Sequence, residues 1–451
     1  MPAKLRVAII GAGIGGLTFA VALQKLCKDV EVVIYEAASH LAEIGAGVGL
    51  WQRPWKVIEE LGLADSLLPL VNGNPMDGWQ SLEYRKCDQP QGVSFCEGIP
   101  KAGFASLHRA KFQQFLFERV SQYHTVIFSK RLTSYTELQS KDILLNFRDG
   151  SSATCDLLVG CDGIKSTVRS VLYRSLAGEA SAGGDEAEAA ELRKHVEPVW
   201  SGTVAYRALI PMDALELVHP NHPATQRAML CFGKNKHLVL YPLTRVNAIN
   251  VVAFVSQPEL EETIYEGPWV RSASREEVTS HYANWEPEVR SMLNCINEVS
   301  LWAISTVPSL PTYFSNGVCL LGDAAHAMTP HQGSGAGQAI EDGFILATLL
   351  TQPGVTRDTL PVALQVYDAL RRPFSQNVVQ LSRSSGMSYR LNCPGFEALT
   401  EEQSYTGTIS PAQLDEVGKT VIELTSWNRD TSIMTDRDRA LESLAAALRV
   451  V

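Results

Sequence analysis

The sequence has little of three features that would each have set its class: long apolar runs, an excess of positive charge and closely paired cysteines. Among 451 residues, 39 are Lys or Arg and 49 are Asp or Glu. The resulting net charge of -10 repels a phosphate backbone, so nucleic acid is not an expected partner. Beyond the N-terminus, no stretch approaches the run of about 18 apolar residues that a membrane span needs. The nine cysteines show no C-x-x-C spacing, which argues against zinc and dithiol motifs and indicates buried thiols in a reducing, cytoplasmic compartment.

The rest of the composition is that of a well-packed protein of two or three domains. Hydrophobic residues make up 45% of the chain and charged residues 20%, which are near globular averages. The stretch "VAIIGAGIGGLTFAVALQ" follows Lys4 and Arg6 and imitates a signal peptide. The four glycines at 11–16 favour a nucleotide-binding loop over that alternative.

Hydrophobic periodicity predicts an α/β protein. Apolar runs at 5–10 and 30–35 flank a helical pattern at 14–27, which is the order strand, helix, strand. Residues 199–256 contain β-rich runs with a period near two, so an antiparallel sheet in a second domain is expected.

Three later segments complete the predicted organisation. Residues 176–194 are rich in Ala, Gly and Glu, and we expect a mobile surface excursion there. Helical patterns return over 335–385. The tail, 386–451, ends in an amphipathic helix expected to pack on the body or on another subunit.

The loop "GAGIGG" places Gly11, Gly13 and Gly16 at the G-x-G-x-x-G positions between a strand and a helix. Such glycines allow a tight turn and let a pyrophosphate approach the positive end of the helix. Glu36 follows 20 residues after Gly16, where a carboxylate accepts the ribose hydroxyls of an adenosine. The pattern predicts a dinucleotide, FAD or NAD rather than NADP. A glycine-rich turn without a ligand is the alternative, and the placed acid argues against it.

Two further segments separate FAD from NAD. "LVGCDGIKSTVR" contains Asp162-Gly163, and "LLGDAAHAMTPHQGSGAGQAIEDG" contains Gly322-Asp323. With the glycine loop, they resemble the three motifs of the single-component FAD-dependent aromatic hydroxylases. The likeness is to salicylate hydroxylases and to dearomatising phenol hydroxylases of polyketide pathways, and it covers about residues 5–385.

The resemblance implies a Rossmann-type FAD-binding domain with an inserted antiparallel-sheet substrate domain and C-terminal helices. The expected division is an FAD-binding domain over 1–175 and 301–385, a substrate domain over 176–300 and a helical tail over 386–451. The resemblance also assigns cofactor contacts. Asp323 would hold the ribityl hydroxyls, and the backbone at a helix start would face the flavin ring. The full set of expected cofactor-binding residues is Gly11, Gly13, Gly16, Glu36, Gly49, Arg109, Asp162, Asp323, Gly335, Ala336 and Gly337.

Arg207 in "VAYRALI" and Tyr241 in "LVLYPL" match positions that hold the substrate phenolate in the dearomatising hydroxylases. An Arg binds phenolate or carboxylate bidentately, whereas a Tyr before Pro is often only packing. Strand alternation predicts that Tyr206 points away from the face that carries Arg207.

His326 and His331 lie five apart and do not share a helix face, which argues against a metal site. His331, beside Pro330, is a weaker candidate for contact with substrate or activated oxygen.

The chain departs from the family pattern at Gln52-Arg53-Pro54-Trp55, where these hydroxylases often show Pro-Asn. This leaves the flavin-side wall of the pocket, and hence the substrate, open.

We expect a monooxygenase that uses FAD, NADH or NADPH, and O₂ to hydroxylate a phenolic aromatic acid. Salicylate or another hydroxybenzoate is the expected substrate, with CO₂ lost from the attacked carbon. Hydroxylation without decarboxylation, or dearomatisation of a larger phenol, is the alternative within the class. A simple NAD-dependent dehydrogenase and a catalytically silent flavin-binding or partner-binding protein are alternatives of other classes. A monomer or a homodimer is expected, and no dedicated nicotinamide domain is visible.

Overall fold

The structure is a computed structural model that describes residues 4–27, 29–41, 47–72, 82–96, 104–243, 246–407 and 409–449. Of the glycine-rich stretch 45–49, Gly45 and Ala46 lie outside the described residues.

The strands, in chain order, are β1 (Leu5–Ile10), β2 (Val30–Tyr35), β3 (Gly47–Trp51), β4 (Val71–Asn72), β5 (Leu82–Lys86), β6 (Val93–Phe95), β7 (Phe104–His108), β8 (Thr125–Ile127), β9 (Leu132–Glu137), β10 (Ile143–Phe147), β11 (Ser152–Cys155), β12 (Leu157–Gly160), β13 (Val199–Pro211), β14 (Ala228–Gly233), β15 (Lys236–Leu243), β16 (Ala248–Thr263), β17 (Val270–Ala273), β18 (Val299–Thr306), β19 (Phe314–Ser315) and β20 (Val318–Leu320). The helices are α1 (Ile14–Leu26), α2 (Gln52–Glu60), α3 (Ala64–Leu67), α4 (Arg109–Val120), α5 (Thr167–Ala182), α6 (Glu186–Arg193), α7 (Met212–Val218), α8 (Arg275–His281), α9 (Pro287–Asn294), α10 (Asp323–His326), α11 (Gly335–Leu350), α12 (Leu360–Tyr389), α13 (Glu401–Tyr405), α14 (Pro411–Leu424), α15 (Trp427–Asp430) and α16 (Ile433–Ala447).

The first sheet has the order β19-β20-β12-β1-β2-β8, and its pairs are parallel apart from the β19–β20 hairpin. Its central strands are continuous apolar runs because helices cover both faces. β12 is buried at every position, and β1 is buried at every position except Arg6. Helix α1 packs against α11 and α4. The predicted α/β class and the strand-helix-strand unit at the N-terminus are confirmed.

The second sheet has the order β17-β18-β13-β16-β15-β14-β5-β6 within the described residues. It is antiparallel as predicted for 199–256, except that β14 and β5 pair in parallel. Strands β5 and β6 therefore join this sheet although they precede residue 175. The division into domains at residues 175, 300 and 385 stays a prediction.

The two faces of the second sheet have different neighbours. Tyr206 on β13 is buried, and its hydroxyl donates to Glu277 on α8 at 2.8 Å. Arg207 lies on the opposite face with its guanidinium 5.4 Å from the ring centroid of Trp302. The predicted alternation of Tyr206 and Arg207 is therefore observed.

Residues 176–194 are helical, so the expectation of a loose excursion is wrong. The end of α5 and all of α6 occupy this segment. Ala, Glu, Leu and Arg are good helix formers, and the side chain of Asp185 caps α6 by accepting from the backbone N–H of Glu188. The segment lies on the surface, as expected, with Ala189 the buried position of α6.

The C-terminal helices pack on the body, which is one of the two predicted alternatives. Helix α16 contacts α2, α11 and α12, and α14 contacts α12. In the part of the chain that the structure describes, no helix combines the length and apolarity that crossing a membrane requires. All nine cysteines are free thiols.

Candidate active site

The glycine loop joins β1 to α1, and its three key glycines meet different surroundings. Gly11 has a φ of +107°, and a Cβ there would lie 2.4 Å from the carbonyl oxygen of Cys161. A Cβ on Gly16 would lie 2.3 Å from the carbonyl oxygen of Gly11. A Cβ on Gly13, the N-cap of α1, would meet no atom within 4 Å. Packing explains the first two glycines, and the open space at Gly13 fits a pyrophosphate at the helix start.

Gly13→Ala should therefore weaken FAD binding while it leaves the fold intact. We expect FAD affinity to fall about tenfold or more, because the added methyl enters the ligand's space. The stability of the apoprotein should stay near that of the wild type. Gly16→Ala is the contrasting variant, since its methyl overlaps the backbone and should destabilise the protein by about 1–3 kcal/mol. FAD titration and urea unfolding of both apoproteins check this, and equal losses of stability would contradict it.

Glu36 lies just after β2, beside the glycine loop. Its carboxylate accepts from the backbone N–H groups of Ala12 and Ala38, each at 2.8 Å. Gln113 on α4 donates to the carbonyl oxygen of Ala12 at 2.7 Å. The acid and the loop thus form one unit at the carboxyl end of the sheet, and the contact of Glu36 with a ribose stays a prediction.

Asp162 caps helix α5. Its carboxylate accepts from the hydroxyl of Ser166 at 2.5 Å and from the backbone N–H groups of Thr167 at 2.7 Å and Val168 at 3.2 Å. Burial raises the pKa of Asp162, and these hydrogen bonds partly offset the shift. The carboxylate is occupied by the cap, so a direct contact of Asp162 with FAD stays a prediction.

Arg169, on the same helix, ties the second motif to the third. It is buried and donates to the carbonyl oxygens of Ile164 at 2.7 Å and Ala324 at 3.0 Å. Ala324 follows Asp323 directly, so this Arg fixes the start of α10 against the loop after β12.

The third motif places Asp323 beside the start of helix α11. A Cβ on Gly335 would lie 3.8 Å from Oδ1 of Asp323, and Asp323 is exposed. Gly335 and Ala336 open α11, whose first N–H groups have no partner within the helix. An exposed carboxylate next to such a helix start fits the hydroxyls and ring of FAD.

Behind this motif lies a buried ion network. Arg371 donates to Asp342 at 2.8 Å, to Glu341 at 3.1 Å and to Gln338 at 2.7 Å. His326 lies 2.6 Å from Asp342, which also accepts from the backbone N–H of Gly322 at 3.1 Å. The acidic pair at 341–342 is therefore internal support for the Gly322-Asp323 motif.

The network continues to the C-terminal helices through Arg53. This residue, 2% exposed, donates to Glu341 at 3.0 Å, to Asp436 on α16 at 2.6 Å and to the hydroxyl of Thr431 at 2.6 Å. Arg53 belongs to the segment that departs from the family pattern. Sequence reasoning missed this role because a single Arg in a helix carries no sign of a partner hundreds of residues away.

The buried ion network makes the free energy of unfolding depend on pH. Burial alone would raise the pKa of Asp342, but His326 and Arg371 lower it to about 2. An Asp in the unfolded chain has a pKa near 3.9. The depressed pKa therefore stabilises the fold above about pH 4, and this contribution is lost as the pH falls toward about 2.

Asp342→Asn should remove this contribution, which is about 2–3 kcal/mol above pH 5. The difference in unfolding free energy between wild type and variant should shrink as the pH falls from about 4 to about 2. Urea unfolding across this range measures it. A difference that stays constant to pH 2 would assign the effect to packing instead.

β3 and α2 contain Gly49 and the segment at 52–55, where the resemblance implies the flavin-side wall. Gly49 pairs with Ser106 on β7. A Cβ on Gly337 would lie 2.9 Å from Cγ of Pro54, so this glycine is required for close packing of α2 on α11. The Pro of the unusual segment would thus take part in the wall.

Arg207 and Tyr241 lie on the same face of the second sheet and influence each other electrostatically, and their contact with substrate stays a prediction. Burial lowers the pKa of Arg207, nearby Tyr241 raises it and nearby Arg109 lowers it. Burial raises the pKa of Tyr241, and Arg207 partly offsets this. A Cβ on Gly47 would lie 3.2 Å from the Tyr241 hydroxyl, which places that hydroxyl against β3. Arg109 is exposed at the start of α4.

His331 lies in a cluster of aromatic side chains. Its ring packs among the rings of His237, Phe254 and Tyr389, at centroid distances of 5.1, 5.2 and 6.0 Å. Burial lowers the pKa of His331, and neither ring nitrogen has a hydrogen-bond partner among the described residues. The ring therefore has a packing role here, and its expected contact with substrate stays a prediction that these contacts do not favour.

The described residues contain no group of three or more His, Cys, Asp or Glu side chains arranged to hold a metal ion. The open Gly13, the carboxylates of Glu36 and Asp323, and the start of α11 together fit FAD.

Comparisons with known proteins agree with this geometry. A family model described as an FAD binding domain matches residues 4–382. A salicylate hydroxylase from Pseudomonas putida is 35% identical over 438 residues, covering 94% of this chain and 92% of the relative. The FAD-dependent monooxygenase str9 from Strobilurus tenacellus is 34% identical over 416 residues, covering 86% of this chain and 90% of the relative. A solved salicylate hydroxylase substrate complex superimposes with a TM-score of 0.79 at 30% identity, covering 97% of this chain and 98% of the other.

Proposed function

The chain belongs to the FAD binding domain family and is an FAD-dependent aromatic monooxygenase of the salicylate hydroxylase type, and we propose that it hydroxylates a phenolic aromatic acid. The proposed substrate is salicylate or another hydroxybenzoate, and hydroxylation releases CO₂. The observation that carries the proposal is that Arg207 and Tyr241 lie on one face of the second sheet, with the Tyr241 hydroxyl against β3.

In this proposal Arg207 and Tyr241 bind the oxygens of the substrate. Arg207 remains cationic despite burial because its pKa is lowered from a very high value. Tyr241 remains protonated at neutral pH because its pKa is raised, so it donates a hydrogen bond. Together they favour a phenolate or carboxylate over a neutral ring.

The same sheet face carries apolar side chains that would contact the aromatic ring of the substrate. Val252 pairs with Arg207 across β13 and β16, and Val239 pairs with Val252 across β15 and β16. Directly paired residues share a face, so Val252 neighbours Arg207 and Val239 lies one strand further along the same face. They orient the ring and exclude water from it.

Bound FAD would supply the redox chemistry, in which electrons from NAD(P)H serve to activate O₂ for insertion into the ring. Asp323, Glu36, Gly13 and the start of α11 would hold it. With salicylate, one oxygen atom enters the ring at the carbon that bears the carboxylate. The carboxylate then leaves as CO₂, and the second oxygen atom leaves as water. Arg207 holds the developing charge in place during this step.

Hydroxylation without decarboxylation, or dearomatisation of a larger phenol, is the second candidate. Leu209, on the same face as Arg207, is exposed, which leaves room for a larger ring system.

Three further points stay predictions: the use of NADH or NADPH, a monomeric or homodimeric state, and a cytoplasmic location.

A panel of hydroxybenzoates and aminobenzoates tests the proposal. We expect salicylate to give the fastest substrate-dependent oxidation of NAD(P)H, with CO₂ and catechol formed in equal amounts. Oxidation that yields hydroxylated acid without CO₂ would favour the second candidate. If no aromatic acid is converted while FAD is bound, the phenolic-acid proposal is wrong.

A further inference from the structure

Gln332 lies in the turn Pro330–Gln332, between the Gly322-Asp323 motif and the start of α11. Its side chain is buried, with 4% of the residue exposed. The amide nitrogen donates to the hydroxyl of Ser385 at 2.9 Å and to the carbonyl oxygen of Leu424 at 3.0 Å. The amide oxygen accepts from the indole N–H of Trp427 at 3.1 Å. The amide of Gln332 is thus fully engaged, and two of its three partners belong to the C-terminal segment 424–427.

The backbone of Gln332 makes a second set of contacts on the opposite side. Its carbonyl oxygen accepts from the indole N–H of Trp51 at 2.8 Å and from the hydroxyl of Ser334 at 3.3 Å. Trp51 ends β3, the strand whose Gly47 lies against the Tyr241 hydroxyl. One residue therefore joins the C-terminal segment to the strand beside the substrate face.

Gln332 lies close in sequence to the helix start that is assigned to the flavin ring. Only Gly333 and Ser334 separate it from Gly335, which opens α11. Gly333 has a φ of +63°, so the turn at this point has a fixed, left-handed geometry. A displacement of Gln332 therefore moves the helix start that is assigned to the flavin ring.

The energetics favour a rigid turn. A buried amide that loses one partner leaves a donor or acceptor unsatisfied, which costs about 1–3 kcal/mol. Every partner of the Gln332 side chain lies on a helix, α12, α14 or α15. The C-terminal helices thus supply the fixed frame.

We propose that Gln332 is a positioning residue through which the C-terminal segment 424–427 sets the helix start at Gly335 against the flavin. FAD should still bind when the Gln332 side chain is lost, because Glu36, Gly13 and Asp323, which would hold FAD together with the start of α11, remain in place. That loss changes the environment of the bound flavin ring and lets reduced cofactor react with O₂ without product. The second effect rests on the proposed function, and the first does not.

Two variants of the full-length holoprotein test this. Gln332→Leu removes all side-chain hydrogen bonds, and Trp427→Phe removes a single donor. Trp200→Phe is the matched control, because Trp200 is equally buried and also donates one indole hydrogen bond, to the carbonyl oxygen of Thr203 at 2.9 Å. The readouts are the visible circular dichroism of bound FAD without substrate and the share of NAD(P)H electrons that end in hydrogen peroxide with the best substrate.

We expect both test variants to bind one FAD and to alter the visible dichroism of the flavin, while Trp200→Phe leaves it unchanged. The uncoupled share should rise about tenfold in Trp427→Phe, as one lost buried hydrogen bond of about 1.4 kcal/mol implies, and more in Gln332→Leu, which loses three. Unchanged dichroism in Gln332→Leu, with a loss of melting temperature like that of the control, would reduce Gln332 to a stabilising residue and overturn the proposal. If no aromatic acid is converted by the wild type, the dichroism still decides the proposal.

Discussion

Replacing Arg207 with Ala is expected to lower kcat/KM for the phenolic substrate by about 10²–10³-fold while FAD stays bound. Arg207 is partly buried on the sheet face beside Tyr241, away from the glycine loop. A charged hydrogen bond to a phenolate or carboxylate is among the strong ones in proteins. Its loss also leaves the Tyr241 hydroxyl as the remaining proposed donor to the substrate. Steady-state turnover and the FAD content of the purified variant measure the two parts of this result.

Two further variants separate charge from shape. Arg207→Lys keeps the charge but not the planar pair of donors, so we expect partial rescue. Arg275→Ala removes an exposed Arg in the same domain, 48% of whose side chain is accessible, and should leave kcat/KM near the wild-type value. Undiminished product formation by Arg207→Ala would remove the assigned role.

The second large effect is on stability. Arg371→Met should lower the free energy of unfolding by about 3–5 kcal/mol, because it removes the cation that Glu341 and Asp342 share and leaves Arg53 and His326 as their remaining buried partners. Arg371, Glu341 and Asp342 have fully buried side chains. Since Asp342 also accepts from the backbone N–H of Gly322, FAD affinity should fall as well. Urea unfolding at saturating FAD and without FAD separates the two effects.

The neighbouring Arg372 provides the control. It pairs with Asp368 one turn earlier at 3.0 Å, and 30% of its side chain is exposed. Arg372→Met should cost less than Arg371→Met, because Arg372 is partly exposed and Asp368 keeps the backbone N–H of Tyr313 as a donor. Equal losses for Arg371→Met and Arg372→Met would mean that the buried network does not support the motif.

The glycine loop and its acid could be predicted because these residues lie close together in the sequence. Gly11, Gly13, Gly16 and Glu36 lie within one strand-helix-strand unit, so their pattern alone predicts a loop beside an acid. The alternation of Tyr206 and Arg207 followed from the period of a strand in the same way.

The parts that sequence reasoning missed depend on distant pairings. Arg53 bonds to Glu341 and Asp436, which lie 288 and 383 residues away, and no periodicity marks such partners. The parallel pairing of β5 with β14 also joins residues that lie far apart in the sequence. The helices at 176–194 are not anticipated for a different reason. A composition poor in large apolar residues predicts a surface segment outside the core but does not decide between loop and helix, and Ala and Glu favour a surface helix.

A structure of the protein with both FAD and salicylate bound would show where the substrate lies. We expect an oxygen of the salicylate within about 3.2 Å of the Arg207 guanidinium or the Tyr241 hydroxyl. We also expect its ring to rest on the face that carries Val239 and Val252. Salicylate ordered elsewhere in the FAD-loaded protein, with no contact to Arg207 or Tyr241, would mean that these two residues do not form the substrate site.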